Sequence, residues 1–344
     1  MATIYGDTSG TLWGLQRGRN QDIVGDAGPD NLLFGDARSI IGLARGGNDF
    51  LTAEGGGIFY GDAYSMSGFA AGGHDRMVGG SGINYQTTLY GDAYRMSGFS
   101  RGGNDIIDPG RWSLAYGDAF SMVDRARGGH DTIKGGGRFS DVLYGDAHFM
   151  SERTVGGNDT FDVTGTAPKL HGDAYEMSDR ARGGNDTLSA VGFTFYGYGD
   201  AYSMGDRTIG GNDQLIAGRS MSNVLHGDAH EMSGRARGGN DRLVAGTGTS
   251  DMWGDAAIME DGAIGGRDAF VFAGTFGDTR IHDFEKGKDR IEIDIDLALG
   301  PNAQVSWETV DDGVAVTVSG PTSQGNILLA GFVGPLANSD FLFV

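Results

Sequence analysis

The chain lacks cysteine and has only six prolines among its 344 residues. Without cysteine it can form neither a disulfide framework nor a thiolate metal site. No run of 18 apolar residues occurs, and the first residues contain neither the basic nor the apolar region of a signal peptide. We therefore expect no membrane span and no N-terminal signal peptide.

Motifs of common enzymes and a basic patch are also missing. The sequence contains no H-E-x-x-H zinc motif and no P-loop. Its formal net charge is −20, so it offers nucleic acid no concentrated positive surface. These absences predict a protein that is not an enzyme and does not bind nucleic acid.

Glycine is abundant instead, at 64 residues, and it follows a repeat. Nine Gly-Asp-Ala strings are each followed by a Gly-Gly-x-Asp string at one constant spacing, as Gly91 is by Gly102, while the spacing between successive units varies. A unit this short cannot bury a core alone, so stacked neighbours must build one between them. The repeat therefore predicts a solenoid, with its length variation confined to the segment between blocks.

Short segments of alternating apolar residues predict that this solenoid is all-β. We predict a parallel β-roll or β-solenoid of about ten coils over residues 1–268, in which 1–34 form an irregular first coil and 35–268 the nine units. Residues 269–344 contain longer alternating strands, with a hairpin turn at Asp311-Asp312-Gly313. We expect this region to be a β cap that covers the last coil.

One early segment, Gly25-Asp26-Ala27-Gly28-Pro29-Asp30-Asn31-Leu32-Leu33, fits the nonapeptide G-G-x-G-x-D-x-U-x with Asp at its second position. It resembles the calcium-binding repeat of the RTX (hemolysin-type) family. Each long unit then reads as the same nonapeptide split by an insertion, such as Tyr64 to Gly72. Removing the insertion leaves one coil of that family's β-roll; keeping it as a separate side would make the coil three-sided.

The resemblance implies calcium ligands at the sixth-position aspartates, with about eight ions in the eight gaps between nine coils. The alternative is that these side chains only cap turns. The sixth-position set comprises Asp30, Asp49, Asp75, Asp105, Asp131, Asp159, Asp186, Asp213, Asp241 and Asp268. The second-position set, in which the two interpretations are equally weighted, comprises Asp26, Asp36, Asp62, Asp92, Asp118, Asp146, Asp173, Asp200, Asp228 and Asp255.

Two further side-chain types recur at fixed positions. Methionine occupies the third position after eight of the nine Gly-Asp-Ala strings, which predicts a small second core beneath stacked loops. An aromatic residue or histidine precedes each string and follows seven of the nine, as Tyr90 and Tyr94 do, and this pattern predicts stacking between coils rather than a sugar-binding platform.

The C-terminal strings, ending in Asp340-Phe341-Leu342-Phe343-Val344, resemble those of RTX proteins exported by type I secretion. The resemblance implies an extracellular protein that folds on calcium after export, with calcium ions and the type I secretion machinery as partners. We predict a structural or adhesive role at the cell surface or in the matrix, with self-assembly and binding to a surface or matrix polysaccharide left open. The alternatives are a carbohydrate- or ice-binding module, or an enzyme that uses the arginine-rich insertions at Arg125, Arg127, Arg180 and Arg182.

Overall fold

The computed structural model describes residues 3–80, 85–136, 141–260, 262–294, 304–320 and 324–344, and these form a β-solenoid. Each of ten successive turns contributes one strand to each of three parallel sheets. The predicted all-β solenoid of about ten coils is confirmed, and its coil is three-sided. Among the longer strands expected in residues 269–344, one lies at Arg290–Ile293, and residues 295–300 lie outside the described ranges.

Sheet 1 contains the strand that enters each Gly-Asp-Ala string. With strands numbered in chain order, its members are β1 (Thr3–Tyr5), β4 (Asn31–Phe34), β7 (Gly57–Tyr60), β10 (Thr87–Tyr90), β13 (Ser113–Tyr116), β16 (Val142–Tyr144), β19 (Lys169–His171), β22 (Thr194–Tyr198), β25 (Ser222–His226), β28 (Thr249–Trp253) and β31 (Thr279–Ile281), followed by the cap strands β35 (Gln324–Ala330), β34 (Gly313–Ser319) and β33 (Gln304–Val310).

Sheet 2 contains the strand that begins at the alanine of each string. Its members are β2 (Thr8–Leu12), β5 (Ala37–Gly42), β8 (Ala63–Gly68), β11 (Ala93–Met96), β14 (Ala119–Met122), β17 (Ala147–Met150), β20 (Ala174–Met177), β23 (Ala201–Met204), β26 (Ala229–Met232) and β29 (Ala256–Met259).

Sheet 3 follows each Gly-Gly-x-Asp string. Its members are β3 (Asp22–Val24), β6 (Phe50–Thr52), β9 (Arg76–Val78), β12 (Ile106–Asp108), β15 (Thr132–Gly135), β18 (Thr160–Gly165), β21 (Thr187–Gly192), β24 (Gln214–Ala217), β27 (Arg242–Val244), β30 (Ala269–Phe272), β32 (Arg290–Ile293) and β36 (Phe341–Phe343), the last preceded by a 3-10 helix at Asn338–Asp340.

Equivalent residues of successive units stack in register. Tyr90 pairs with Tyr60 and Tyr116 in sheet 1, and Met96 pairs with Met66 in sheet 2. The constant spacing between the two strings of a unit is therefore the path from the end of a sheet 1 strand, through sheet 2, to the start of sheet 3. The length variation lies in the loops that lead from sheet 3 back to sheet 1.

The segment predicted to be an inserted loop is a second, smaller compartment. After each sheet 2 strand the chain turns and runs back through one residue that pairs with its counterpart in the next coil. We call these returning residues the return ladder, and the sheet 2 strand, turn and return ladder together the side lobe. The return ladder consists of Arg17, Arg45, Ala71, Arg101, Arg127, Val155, Arg182, Ile209, Arg237 and Ile264.

The described residues form three hydrophobic clusters, of which the smallest consists of buried aromatic residues of sheet 1 from Phe34 to Tyr144. The other two fill the solenoid and the side lobe. The larger lies between sheets 1 and 3 and includes Leu89, Ile107 and Phe161. The smaller fills the side lobe with alanine and methionine, of which Met66 and Met96 are at most 1% exposed. The predicted second core of methionine is present, but a strand and its returning ladder enclose it, not loops.

Antiparallel strands close the C-terminal end. Strand β31 pairs with β35, which continues antiparallel into β34 and β33. The predicted turn at Asp311 and Asp312 connects β33 to β34. No helix in the described ranges is long or apolar enough to cross a membrane.

Candidate metal centre

The aspartates of the repeat form two buried rows at the base of the side lobe. The GDA row lies at the corner between sheets 1 and 2, and contains Asp36, Asp62, Asp92, Asp118, Asp146, Asp173, Asp200, Asp228 and Asp255. The GGxD row immediately precedes sheet 3, and contains Asp49, Asp75, Asp105, Asp131, Asp159, Asp186, Asp213, Asp241 and Asp268. All eighteen side chains belong to buried residues, none more than 6% exposed.

Each aspartate of the GDA row joins the two ends of its side lobe. Its carboxylate accepts a hydrogen bond from the backbone N–H of the second glycine in the Gly-Gly-x-Asp string of the same unit; the Gly103 N–H donates to Asp92 at 2.8 Å. The nine bonds of this kind are 2.5 to 3.0 Å long. This contact bridges the interruption that the insertion makes in the nonapeptide.

Each aspartate of the GGxD row connects one coil to the preceding coil. The backbone N–H of Asp75 donates to Asp105 at 2.7 Å, and that of Asp105 donates to Asp131 at 2.6 Å. Neither row bonds the N–H two residues on, as a simple turn cap would. The carboxylates therefore bind lobe ends and neighbouring coils together.

The second oxygen of most of these carboxylates has no hydrogen-bond donor. In all nine members of the GGxD row, and in seven of the nine in the GDA row, this oxygen is buried without an N–H or hydroxyl partner. A buried carboxylate that keeps such an oxygen unpaired is costly, because it has lost water and gained no replacement. Each of these oxygens therefore calls for a proton or a cation.

Glycines next to the two rows leave room for the carboxylates and for the neighbouring coils. A methyl group on Gly91 would overlap the carbonyl oxygen of Gly117 and the unpaired oxygen of Asp105. A methyl group on Gly103 would overlap the carbonyl oxygen of Gly73. Only glycine therefore permits the coils to stack this closely beside the carboxylates.

Burial and mutual repulsion shift the acidity of both rows. Burial raises the pKa of Asp105 well above its usual range, and the nearby Asp92 and Asp75 raise it further. Burial raises the pKa of Asp200 to about 6 and that of Asp49 to about 8. Neighbouring carboxyl groups of the GDA row, such as Asp118 and Asp146, lie close enough to share a proton. At neutral pH the metal-free rows are therefore only partly ionised.

The donor chemistry of the rows suits calcium, a hard cation that prefers carboxylate and carbonyl oxygens. The side chains alone do not form a cage: in the described ranges, no three of the His, Asp and Glu side chains are grouped to hold a metal ion. A calcium ion here would use one or two carboxylates from the two rows. Backbone carbonyls of the glycine-rich corners would have to complete its six to eight ligands.

The ends of the rows differ from the sequence prediction. Asp26 and Asp30 are exposed in the loop between β3 and β4 and belong to neither row. Asp26 instead accepts the Gly28 N–H two residues on, as a turn cap does. The nonapeptide match in this segment therefore did not locate a member of the buried rows.

Other residues extend the rows at both ends. At the first coil, Asp7 accepts the Arg19 N–H at 2.8 Å, and the Gln21 N–H donates to Asp49 at 2.7 Å. At the last coil, the Asp268 N–H donates to Asp289 at 3.1 Å, and the Gly254 N–H to Asp283 at 2.8 Å. Asp7 could be recognised in the sequence because Tyr5-Gly6-Asp7-Thr8 is a degenerate copy of the Gly-Asp-Ala string and its preceding tyrosine. Asp283 and Asp289 lie outside any recognisable repeat unit.

The aromatic residues stack between coils as predicted. The ladder before Gly-Asp-Ala has ring centroids 4.5 to 5.1 Å apart from Tyr5 to Trp253, with His171 and His226 as members. Burial lowers the pKa of both histidines to about 3, so they are neutral rings. From Phe34 to His226 this ladder is buried and offers no open platform to a sugar, and its end members Tyr5 and Trp253 are half-buried.

The arginines considered for an enzymatic role lie in two places. Arg125 and Arg180 line a groove along the tips of the side lobes, whereas Arg127 and Arg182 belong to the return ladder. The G-x-S-x-G spacing of hydrolases also occurs in the side lobe, at Gly98–Gly102. Its serine, Ser100, is fully buried and its hydroxyl has no hydrogen-bond partner, so no base activates it.

No protein-family model matches this chain, and no curated protein matches it at a significant level.

Proposed function

We propose that this protein is an extracellular, calcium-binding β-solenoid of RTX type with a structural or adhesive role. The observation that carries the proposal is the pair of buried rows, with sixteen carboxylate oxygens that have no hydrogen-bond donor. Calcium bound at these rows would neutralise them and hold successive coils together.

Electrostatics explains why a cation is needed at neutral pH. Successive coils of a β-solenoid are about 4.8 Å apart. Two ionised carboxylates at that distance repel by about 3.5 kcal/mol at an effective dielectric constant of 20. This repulsion recurs along each row, so a fully ionised metal-free solenoid is strongly destabilised.

The same repulsion fits a protein that is exported before it folds. Where calcium is scarce the chain stays open, and millimolar calcium outside the cell couples binding to folding. The C-terminal region would then serve both as the β cap and as the signal for a type I secretion machinery. Comparing export of the full chain with export of residues 1–268 by cells that carry such a machinery tests this step; equal export would contradict it.

A calcium titration tests the binding itself. Isothermal titration of the full chain, freed of metal with EGTA and dialysed, should detect about eight calcium ions per chain, one for each gap between the nine repeat units. The matched control is the same titration at pH 4, where the buried carboxyls hold protons and heat from calcium should be lost. Failure to bind calcium at pH 7.5 would contradict the proposal.

A further inference from the structure

A straight row of exposed side chains runs along the tips of the side lobes. Its members lie two residues before each of the first nine members of the return ladder, so the parallel pairing of that ladder aligns them. We call it the tip row: Leu15, Leu43, Phe69, Phe99, Arg125, Arg153, Arg180, Arg207 and Arg235.

The side chains of the tip row change from apolar to basic along the solenoid. Its first four side chains are apolar yet 45 to 82% exposed. Its next five are exposed arginines. Phe69 and Phe99 stack at 4.9 Å, and the guanidinium of Arg125 lies 5.2 Å from the ring of Phe99. The two halves are thus continuous.

The five arginines line a groove of about 1010 Å³. Four acidic residues also line the groove: Glu152, Asp124, Asp179 and Asp206. The carboxylates of the three aspartates accept backbone N–H bonds from the preceding coil at 2.8 to 3.1 Å. Within the described ranges, none of the five arginines lies within 4.0 Å of a carboxylate oxygen. The guanidinium groups are therefore available to an external anion.

We propose that the tip row binds an extended acidic polysaccharide. Five arginines at intervals of about 4.8 Å span about 19 Å, which fits a linear polymer better than a small anion. Planar guanidinium groups recognise carboxylate and sulfate oxygens through paired hydrogen bonds. The exposed rings of Phe69 and Phe99 offer flat apolar surfaces to the sugar rings further along the same line.

The charge of the whole protein favours a sparsely charged polymer. Nucleic acid carries one charge per nucleotide and would meet the repulsion of a chain with net charge −20. A polysaccharide with fewer charges per unit length meets less of it. This inference deepens the adhesive role proposed above and names the class of ligand.

The test compares two triple variants of the full, calcium-loaded chain. Arg153→Gln/Arg180→Gln/Arg207→Gln removes three charges from the groove. Arg127→Gln/Arg182→Gln/Arg237→Gln removes three exposed charges from the adjacent return ladder and is the matched control. Circular dichroism checks that both variants are folded, and fluorescence anisotropy measures binding to labelled hyaluronan oligosaccharides, which carry one carboxylate per disaccharide, to neutral dextran and to single-stranded oligo-dT.

Wild type should bind hyaluronan and not neutral dextran. The groove variant should weaken this binding about tenfold or more, and the control variant should weaken it less than about threefold. Equal losses in both variants, or oligo-dT bound as tightly as hyaluronan, would overturn the proposal. So would sedimentation showing that wild type, but not the groove variant, dimerises without polymer, because the groove would then serve a second copy. Repeating the assay in EGTA separates the polysaccharide proposal from the calcium proposal. If the chain is folded in EGTA and still binds the polysaccharide, only the requirement for calcium is refuted.

Discussion

Replacing Asp200 with asparagine tests whether the buried rows oppose folding when calcium is absent. The side chain is fully buried, and one carboxylate oxygen accepts the Gly211 N–H at 2.6 Å. Asparagine keeps an acceptor for that bond and places an amide N–H₂ where the unpaired oxygen lies, beside the carboxyl groups of Asp173 and Asp228. The substitution thus removes one buried charge with little change in shape.

The magnitude follows from the acidity of this group. Burial raises the pKa of Asp200 from 3.8 to about 6. At pH 7.5 the folded protein therefore bears a cost of about 3 kcal/mol to ionise it, at about 1.36 kcal/mol per pKa unit. Because the folded state binds this proton more tightly than the unfolded state, its contribution to stability is complete below about pH 4 and is lost as pH rises through 6.

The assay is a pH titration in EGTA followed by far-UV circular dichroism. Wild type should lose its β signal as pH rises, across the range set by Asp200, with a pKa of about 6, Asp49 at about 8 and Asp268 at about 9. Asp200→Asn should keep its β signal to higher pH, and in calcium it should bind fewer ions than wild type. Asp206→Asn, an exposed change in the same coil, should move neither result. If Asp200→Asn lost its β signal at a lower pH than wild type, the ionised Asp200 carboxylate would not be destabilising the metal-free fold.

Two further predictions concern packing and are measured by thermal unfolding in calcium. Gly103→Ala should prevent cooperative folding or lower the melting temperature severely, since its methyl group would overlap the Gly73 carbonyl. Gly205→Ala should be tolerated, because a methyl group there meets nothing closer than 3.8 Å. Equal effects of the two substitutions would contradict the close packing at Gly103. Met150→Ala should lower the free energy of unfolding by about 2–5 kcal/mol, because it leaves a cavity in the side-lobe core. Met221→Ala should lower it by less than about 1 kcal/mol, because the Met221 side chain is 63% exposed. Similar losses in the two variants would show that the side lobe is not tightly packed.

The constant parts of the repeat are the parts that could be predicted from sequence. The invariant spacing from Gly-Asp-Ala to Gly-Gly-x-Asp fixes the chain length from one corner to the next, so the stacking of Asp105, Met96 and Tyr90 with their counterparts follows from parallel pairing. The strand in the side lobe was missed because Ala93–Met96 is too short to establish an alternating pattern.

The ends of the site and the tip row could not be predicted in the same way. Asp30 matches the nonapeptide as a string, but coil position depends on strand pairing, which begins earlier, at Thr3–Tyr5. The tip row changes from Phe99 to Arg125 between neighbouring coils, so no constant residue marks it. Only the register of the return ladder brings these residues into one line.

The most direct test of the calcium hypothesis is the far-UV circular dichroism of the full wild-type chain at pH 7.5, first in excess EGTA and then with millimolar calcium. We expect little β signal in EGTA and its appearance on adding calcium, since the cation must neutralise the two buried rows before the coils can stack. The same β signal in EGTA as in calcium would contradict it.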